Sequence, residues 1–501
     1  MIDRREFLLV SAATAAQAAP SPRVAHLLPT VSHDRTLLKV SYSTPLSKPP
    51  ILKFGKRTAL GAMADTRGRF WRFDVPGLSP ATEYALALDG TEPWTLRTFP
   101  APGTKVEKFR LLVYTCAGGD ERQRTVRGPH FLPLAARQRL FDHALSFKPD
   151  AIVGNGDHIY WDLRQTGAPP NFNEDLLKEV GSFTRDLPVL GTANEDVLKR
   201  VADAQIAQLY GTRFKSVPVF FPQDDHDYFE NDDANERMVT YPPDHLMLQL
   251  GRGVRRMYFP EFLPDANRPV GLPGASAVDT PPGTGESFGT IRYGDLAEVL
   301  LYDCRRYLTL AGPNAVIVPR EVETWLTRRL VARDVGHVVQ LPSMPPAWTS
   351  GKWGDWYPDV LDRTSNKLTT AIPKPYWQPG WMAQHDRLMQ AASAAAHRAP
   401  VVVSGDLHAI AHGRMMRTGA IDLSANPVEV LLAGPIGTAD NGWPSMARGA
   451  RPIPGAYVTV DEKLPCLERN GFTILDFEPG RIVARLFRDT ENFYTAEISR
   501  R

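Results

Sequence analysis

Apolar and polar positions set two different rhythms along the chain. Over the first hundred residues the rhythm is that of strands. Leu37–Thr44 and Phe70–Val75 are strand-like, and Glu83–Leu88 alternates up to Asp89-Gly90, a hairpin-turn dipeptide. Pro100–Thr104 reads as a short linker. From Phe109 onward short apolar runs alternate with helical spacing. Buried strands are predicted at Arg110–Thr115, Ala151–Val153, Val217–Phe221, Val338–Leu341, Val401–Val403 and Glu429–Leu432. Helices are predicted at Phe131–Phe147, Asn194–Tyr210, Pro319–Arg333 and Ala383–His397, the third with proline at its start. Ile291–Tyr293 and Glu298–Tyr302 flank Gly294-Asp295 as a hairpin, and Phe472–Phe477 and Arg481–Phe487 complete the β set. Pro264–Thr284 is rich in Pro and Gly without periodicity, a surface insertion.

The segment Gly77-Leu-Ser-Pro-Ala-Thr-Glu-Tyr84 resembles the corner of an immunoglobulin- or fibronectin-like sandwich, where a tyrosine hydroxyl ties back to the backbone. The expected organisation is therefore a small β-sandwich over 20–100 and a larger α/β domain over 105–501, in which two packed sheets are covered by helices. Length agrees, since 501 residues at roughly 150 per domain imply two or three units.

Composition narrows the function. Lys and Arg exceed Asp and Glu by 58 − 56 = 2, too small a surplus for a nucleic-acid binder. Cys116, Cys304 and Cys466 are too few for a disulfide framework. No apolar run reaches the roughly 18 residues that span a bilayer. Residues 1–19 read as an address and stand outside the fold. Arg4-Arg5-Glu6-Phe7-Leu8 resembles the twin-arginine signal, an apolar run follows, and Ala16-Gln17-Ala18 supplies small residues for cleavage. Export by the twin-arginine translocase to the periplasm or medium is expected, a route that suits a protein loading its metal before it leaves the cytoplasm.

Four polar clusters each follow a predicted core strand. They are Thr115-Cys116-Ala-Gly-Gly119, Gly156-Asp157-His158-Ile-Tyr160, Asp224-Asp225-His226-Asp227-Tyr228-Phe-Glu-Asn231 and Ser404-Gly405-Asp406-Leu407-His408. Loops at the carboxyl ends of strands are where α/β folds bind ligands, so the four can converge. Each alone is a turn or a core residue. Together their Cys, Asp, Tyr, Asn and His side chains are metal ligands of mixed hardness: thiolate and phenolate favour a transition metal, whereas carboxylate and amide oxygens also suit calcium.

This series resembles the PhoD-like branch of the calcineurin-type metallophosphoesterases, exported alkaline phosphatases and phosphodiesterases. The likeness spans nearly the whole chain and rests most on Ser404-Gly-Asp-x-His408 and the Asp-Asp-His-Asp…Asn231 string, with Leu301-Tyr-Asp303-Cys-Arg305 as a further similar segment. It implies a four-layer αββα sandwich behind the N-terminal domain, and a centre of ferric iron with one or two calcium ions. Cys116, Asp157 and Tyr160 would surround the iron, with Asn231, Asp406 and His408 completing the set. The absence of Asp-x-His at the first motif supports iron over zinc or manganese, the alternative metals. Gln223, Thr115 and Cys304 depart from the family pattern without removing a ligand.

The implied chemistry is hydrolysis of a phosphoric ester by a metal-activated hydroxide. Asp157 is the candidate bridging carboxylate. His226 is the candidate donor to the leaving oxygen or the phosphate. Arg305 either forks onto phosphoryl oxygens or pairs with Asp303. The backbone N–H groups of Gly118-Gly119 can face a phosphate or simply make a turn, and the turn is favoured. His412 reads as a neighbour of the site or unrelated to it. Trp348, Trp353, Trp356, Trp377 and Trp381 fall within 34 residues that also hold Pro342, Pro345, Pro346 and Pro358. That loop either walls the site mouth or packs on the domain. Substrates are small phosphoesters or cell-envelope material, and a monomer is expected. The alternatives are a phospholipid or teichoic-acid-type diesterase and a non-catalytic exported metal-binding or adhesion module.

Overall fold

A computed structural model of the chain describes residues 22–125, 128–161, 174–229, 241–351, 356–374, 376–439, 445–446 and 449–500. The export signal, Asn231 and Trp353 lie outside the described residues.

The N-terminal strands form two antiparallel sheets. One runs Val24–Val31, Arg35–Tyr42, Phe70–Pro76, Ala62–Met63, and the other Arg57–Leu60, Ile51–Phe54, Glu83–Ala87, Trp94–Arg97. Alternate residues give each sheet an inner face: Leu38, Val40, Trp71 and Phe73 of the first share a core with Leu52, Phe54, Leu86 and Leu96 of the second. The Tyr84 hydroxyl accepts a hydrogen bond from the Ser79 amide at 2.8 Å, the tie-back expected of that corner. The other face of the first sheet turns Leu28 and Phe70 toward helices of the larger part. It also carries Lys39, fully buried, whose ammonium donates to Glu261 Oε1 and to the Arg256 carbonyl, both at 2.8 Å. Burial pulls the Lys39 pKa down to about 8, with Glu261 opposing.

The larger part is a mixed α/β sandwich. Its first sheet has the order Val219–Phe220, Ala151–Gly154, Phe109–Tyr114, Gly471–Glu478, Arg481–Arg488, Glu491–Ser499. The first three strands are parallel and the rest antiparallel. The second sheet runs Phe288–Tyr293, Ala297–Tyr302, His337–Pro342, Val401–Ser404, Val428–Ala433, Ile410–Thr418, Ile421–Asp422, with Val458–Leu467 also paired to Ile410–Thr418. Here Ala297–Tyr302 through Val428–Ala433 are parallel.

Period-two alternation builds the layers. Leu111, Val113 and Val153 of the first sheet share a core with Val299, Leu301, Val339 and Val403 of the second. Their neighbours Leu112, Tyr114 and Ile152 face outward onto helices Leu134–Ser146, Ala193–Ala202 and His245–Tyr258. Leu300, Val338 and Val402 face the other way, onto helices Arg320–Leu330 and Pro379–Ala394. The result is the expected αββα order.

Two elements differ from expectation. The helix expected over Asn194–Tyr210 is broken by a π turn at Asp203–Ala207. Helix His245–Tyr258, capped by the Asp244 side chain on the Met247 amide, was hidden by Gly251 and Gly253 within its apolar stripe. Of the tryptophans, Trp348, Trp356 and Trp381 are buried in the outer core with Val322 and Leu388, which favours packing over a site wall.

Lys39→Met should destabilise the chain by about 3–5 kcal/mol, because Glu261 is left buried without its cation. Lys39→Met with Glu261→Leu should recover most of that loss. Urea unfolding midpoints check both, and equal midpoints for the two variants would overturn the reading.

Candidate metal centre

Five strand ends deliver the polar side chains. Phe109–Tyr114 leads into Cys116, Ala151–Gly154 into Asp157, Val219–Phe220 into Asp224, Ala297–Tyr302 into Asp303 and Arg305, and Val401–Ser404 into Asp406 and His408. At four of the candidate ligands the backbone is left-handed: φ is +50° at Cys116, +56° at Asp157, +65° at Asp406 and +50° at His408. Only nine non-glycine residues among those described have positive φ, and four are candidate ligands. Such backbone is held by its surroundings and concentrates at functional sites. The motifs also touch closely: a Cβ at Gly405 would fall 2.1 Å from Thr115 Oγ1, and one at Gly156, 2.4 Å from Asp224 Cβ.

The donor atoms form two overlapping groups, Cys116–Asp157–His408 and Asp157–Asp224–Asp225–Asp406, each within 4.8 Å and fully buried. Cys116 Sγ lies 3.2 Å from Asp157 Oδ2 and 3.1 Å from Thr115 Oγ1. The Tyr160 hydroxyl donates to Asp157 Oδ2 at 3.1 Å and lies 3.3 Å from His408 Nε2. His408 Nδ1 meets Thr438 Oγ1 at 2.8 Å, which turns Nε2 toward the cluster, the usual support of a ligating imidazole.

Arg305, also fully buried, places its guanidinium on Asp224 (2.7 Å) and Asp406 (3.2 Å), with Asp225 at 3.9 Å. Asp303 instead accepts from the backbone amides of Arg305 and Arg306. The arginine therefore serves the acidic group, a pairing that neither sequence alternative anticipated.

The electrostatics follow from dryness and crowding. Burial, and then the Asp157 charge, push both the Cys116 thiol and the Tyr160 phenol well above their ordinary ranges. Asp224 is likewise raised by burial and by its acidic neighbours, against the pull of Arg305. For Arg305 burial opposes the charge, but Asp224, Asp225 and Asp406 outweigh it. Asp224 Oδ2 is buried with no hydrogen-bond partner among the described residues. A dry carboxylate oxygen aimed into a set of thiol, imidazole, phenol and carboxylates fits a bound cation.

The structure thus brings together Cys116, Asp157, Tyr160, Asp406 and His408. His226 sits at their edge on the turn Asp225–Asp227, partly exposed, its ring 4.1 Å from that of Tyr160 and its amide on Asp157 Oδ1. The Gly118 and Gly119 amides are taken up by the Asp157 carbonyl and Gln205 Oε1, so both already have acceptors within the protein. His412 lies apart, between Glu429 and Tyr494.

Sequence reasoning passed over Asp224 and Asp225 as members of the cluster, although both stood in its acidic string. It also missed Asp227, whose carboxylate takes the amides of Asp157, His158 and Asp224 and so staples two loops. Thr438, pinned by Asn470, gave no signal at all.

This is the fold class of the metallophosphoesterases. The particular likenesses are to a solved structure of PhoD and to the purple acid phosphatase PPD1 of yellow lupin (Lupinus luteus) seeds. PhoD matches at TM-score 0.57 and 15% identity over 95% of this chain and 88% of that one. The lupin enzyme matches at TM-score 0.54 and 12% identity over 95% of this chain and 74% of that one. No family model matches the sequence, and no curated protein does. The chain therefore has the PhoD-like metallophosphoesterase fold, with a possible metal-binding cluster at its strand ends.

Asp227→Ala should cost about 3–5 kcal/mol in the metal-free protein, since three buried amides lose their acceptor. Chemical denaturation reads it, and a loss below about 1 kcal/mol would show that the loops hold without the staple.

Proposed function

We propose that the protein is an exported, metal-dependent phosphoric ester hydrolase acting as a phosphatase, a phosphodiesterase or both. The observation that carries this reading is the convergence of Cys116, Asp157, Tyr160 and His408 with three further carboxylates at the strand ends of this fold. The donor set divides by softness. Thiol, imidazole and phenol suit ferric iron, and the carboxylates of Asp224, Asp225 and Asp406 suit calcium, so an iron–calcium centre is the pairing we favour. Asn231 joins the proposal on its motif alone. PhoD and a purple acid phosphatase as structural neighbours support the reaction class.

Cations held there would polarise a phosphoryl group and acidify water beside it. The residues of the chain do the rest. Asp157 belongs to both donor groups, so this one carboxylate would take part in holding a cation in either. His226, reaching the edge of the cluster beside Tyr160, is placed to give a proton to the departing oxygen. Arg305 neutralises Asp224 and Asp406 and so keeps the acidic half from repelling an anionic ester. Export through the twin-arginine route, with iron loaded before translocation, is part of the same proposal. Among the described residues no helix is long and apolar enough to cross a membrane.

Asp157→Asn should leave a folded protein that loses metal and at least about a hundredfold of its phosphoester hydrolysis, since the nucleophile and both positions depend on that carboxylate. Elemental analysis and the hydrolysis of a monoester beside a diester test it, and undiminished hydrolysis would overturn the site. Because Cys116 and Tyr160 are held protonated, a cation binding both must displace two protons. Metal affinity should therefore fall as pH falls, by up to about tenfold per unit for each proton displaced. Calorimetric titration at pH 6, 7 and 8 checks the sign, and pH-independent affinity would exclude the thiol and phenol as ligands.

A further inference from the structure

Tyr160 lies in a loop, three residues beyond Asp157, with no regular element of its own to fix it. What holds it comes from elsewhere. Gln205 is fully buried and uses both ends of its amide. Its Oε1 accepts from the Tyr160 N–H and the Gly119 N–H, each at 2.7 Å, and its Nε2 donates to the Tyr160 carbonyl at 2.8 Å. One side chain thus reads both backbone groups of Tyr160 and ties them to the loop that begins with Cys116.

The π turn explains how a helix presents that amide. At Asp203–Ala207 the Gln208 amide bonds to the Asp203 carbonyl, five residues back, so the turn holds one residue more than an α-turn. Gln205 lies inside that turn, and π turns of this kind recur at functional sites. The Arg137 guanidinium, on the neighbouring helix Leu134–Ser146, donates to the carbonyls of Ala117, Gly118 and Gly119 at 2.8–3.1 Å. The loop after Cys116 is thus clamped by a donor to its carbonyls and an acceptor of the Gly119 amide.

We propose that Gln205 is a positioning residue for the thiol–phenol half of the centre. It holds Tyr160 and the Cys116 loop in one relation, so that both groups meet a cation as a preformed pair. The inference rests on Tyr160 being a ligand, as in the proposed function. A residue that only fills space has no need of two acceptances and one donation to the same two loops.

The test uses the full mature chain with Gln205→Leu, which removes all three bonds, and Gln205→Glu, which keeps an acceptor and loses the donor. In the metal-free protein, amide exchange at Gly119 and Tyr160 should be at least about tenfold faster in Gln205→Leu and intermediate in Gln205→Glu. Exchange in strand Phe109–Tyr114 should stay within about twofold. In the iron-loaded protein, iron release should be about tenfold faster, and kcat should fall with KM nearly unchanged. Unchanged exchange at both amides would overturn the clamp. Acceleration spread evenly over the chain would overturn the positioning role in favour of a general stabilising one. Tyr160→Phe separates the two readings. If it releases iron at the wild-type rate while Gln205→Leu still speeds exchange, Tyr160 is not a ligand and the positioning proposal falls. Absence of phosphoester hydrolysis in the wild type would overturn the proposed function while exchange and iron release still decide the role of Gln205.

Discussion

Like charge packed into a dry cleft is the constraint on which the rest of this structure turns. Asp157, Asp224, Asp225 and Asp406 bring carboxylate oxygens within 4.8 Å of one another and are shielded from water. At that distance two ionised carboxylates repel by about 3 kcal/mol even at the effective dielectric usual for protein sites. No chain gathers such a group without an answer to it. Arg305 supplies part of one, as a buried cation across Asp224 and Asp406. Burial and the neighbouring carboxylates also push the Asp224 carboxyl toward its neutral form. The thiol and phenol beside Asp157 stay neutral for the same reason. Every one of these responses is what a positive ion placed in the cleft would reverse.

The backbone carries a second load. Left-handed turns at Cys116, Asp157, Asp406 and His408 are sparsely populated conformations, and only a dense frame keeps them. That frame crosses from sheet to sheet. Thr115 Oγ1 donates to the Asn155 carbonyl, Asn155 Nδ2 to the Pro342 carbonyl, and Thr115 forms an isolated parallel bridge with Pro435. Asp227 and Gln205 fasten the loops that these bonds do not reach. The geometry of the site is thus a property of the closed sandwich, and the two sheets hold each other at the place where their strand ends meet.

Much of this was legible in the sequence because it lies close to a strand end. Buried parallel strands are short apolar runs, and a ligand two or three residues beyond such a run is visible as a motif, as with Cys116, Asp157 and Asp406. What escaped depends on direction. Asp224, Asp225 and Asp227 are near neighbours of one acid type, yet a single tight turn sends the first two toward the cleft and the third onto backbone amides. Thr438 supports His408 from thirty residues away, across the sheet order. The π turn at Asp203–Ala207 keeps the composition of an ordinary helix, so nothing in the apolar spacing separates Gln205 from a surface residue. The tryptophan-rich stretch left a site wall and packing on the domain both open, because clustering in sequence does not fix direction; Trp348, Trp356 and Trp381 pack under the second sheet.

The donor set draws on both halves of the fold. The first sheet contributes Cys116, Asp157, Asp224, Asp225 and, through the loop beyond Asp157, Tyr160. The second contributes Asp406, His408 and Arg305. His408 joins the thiol and Asp157 from the second sheet, and Asp406 joins the three carboxylates of the first, so each group of donors needs both sheets. Asp157 links the two, since it belongs to both groups and its two oxygens already face different partners: Oδ2 toward Cys116 and Tyr160, Oδ1 toward the His226 amide. A donor set built this way comes together only once the sandwich has closed, so any cation it held would be coupled to folding.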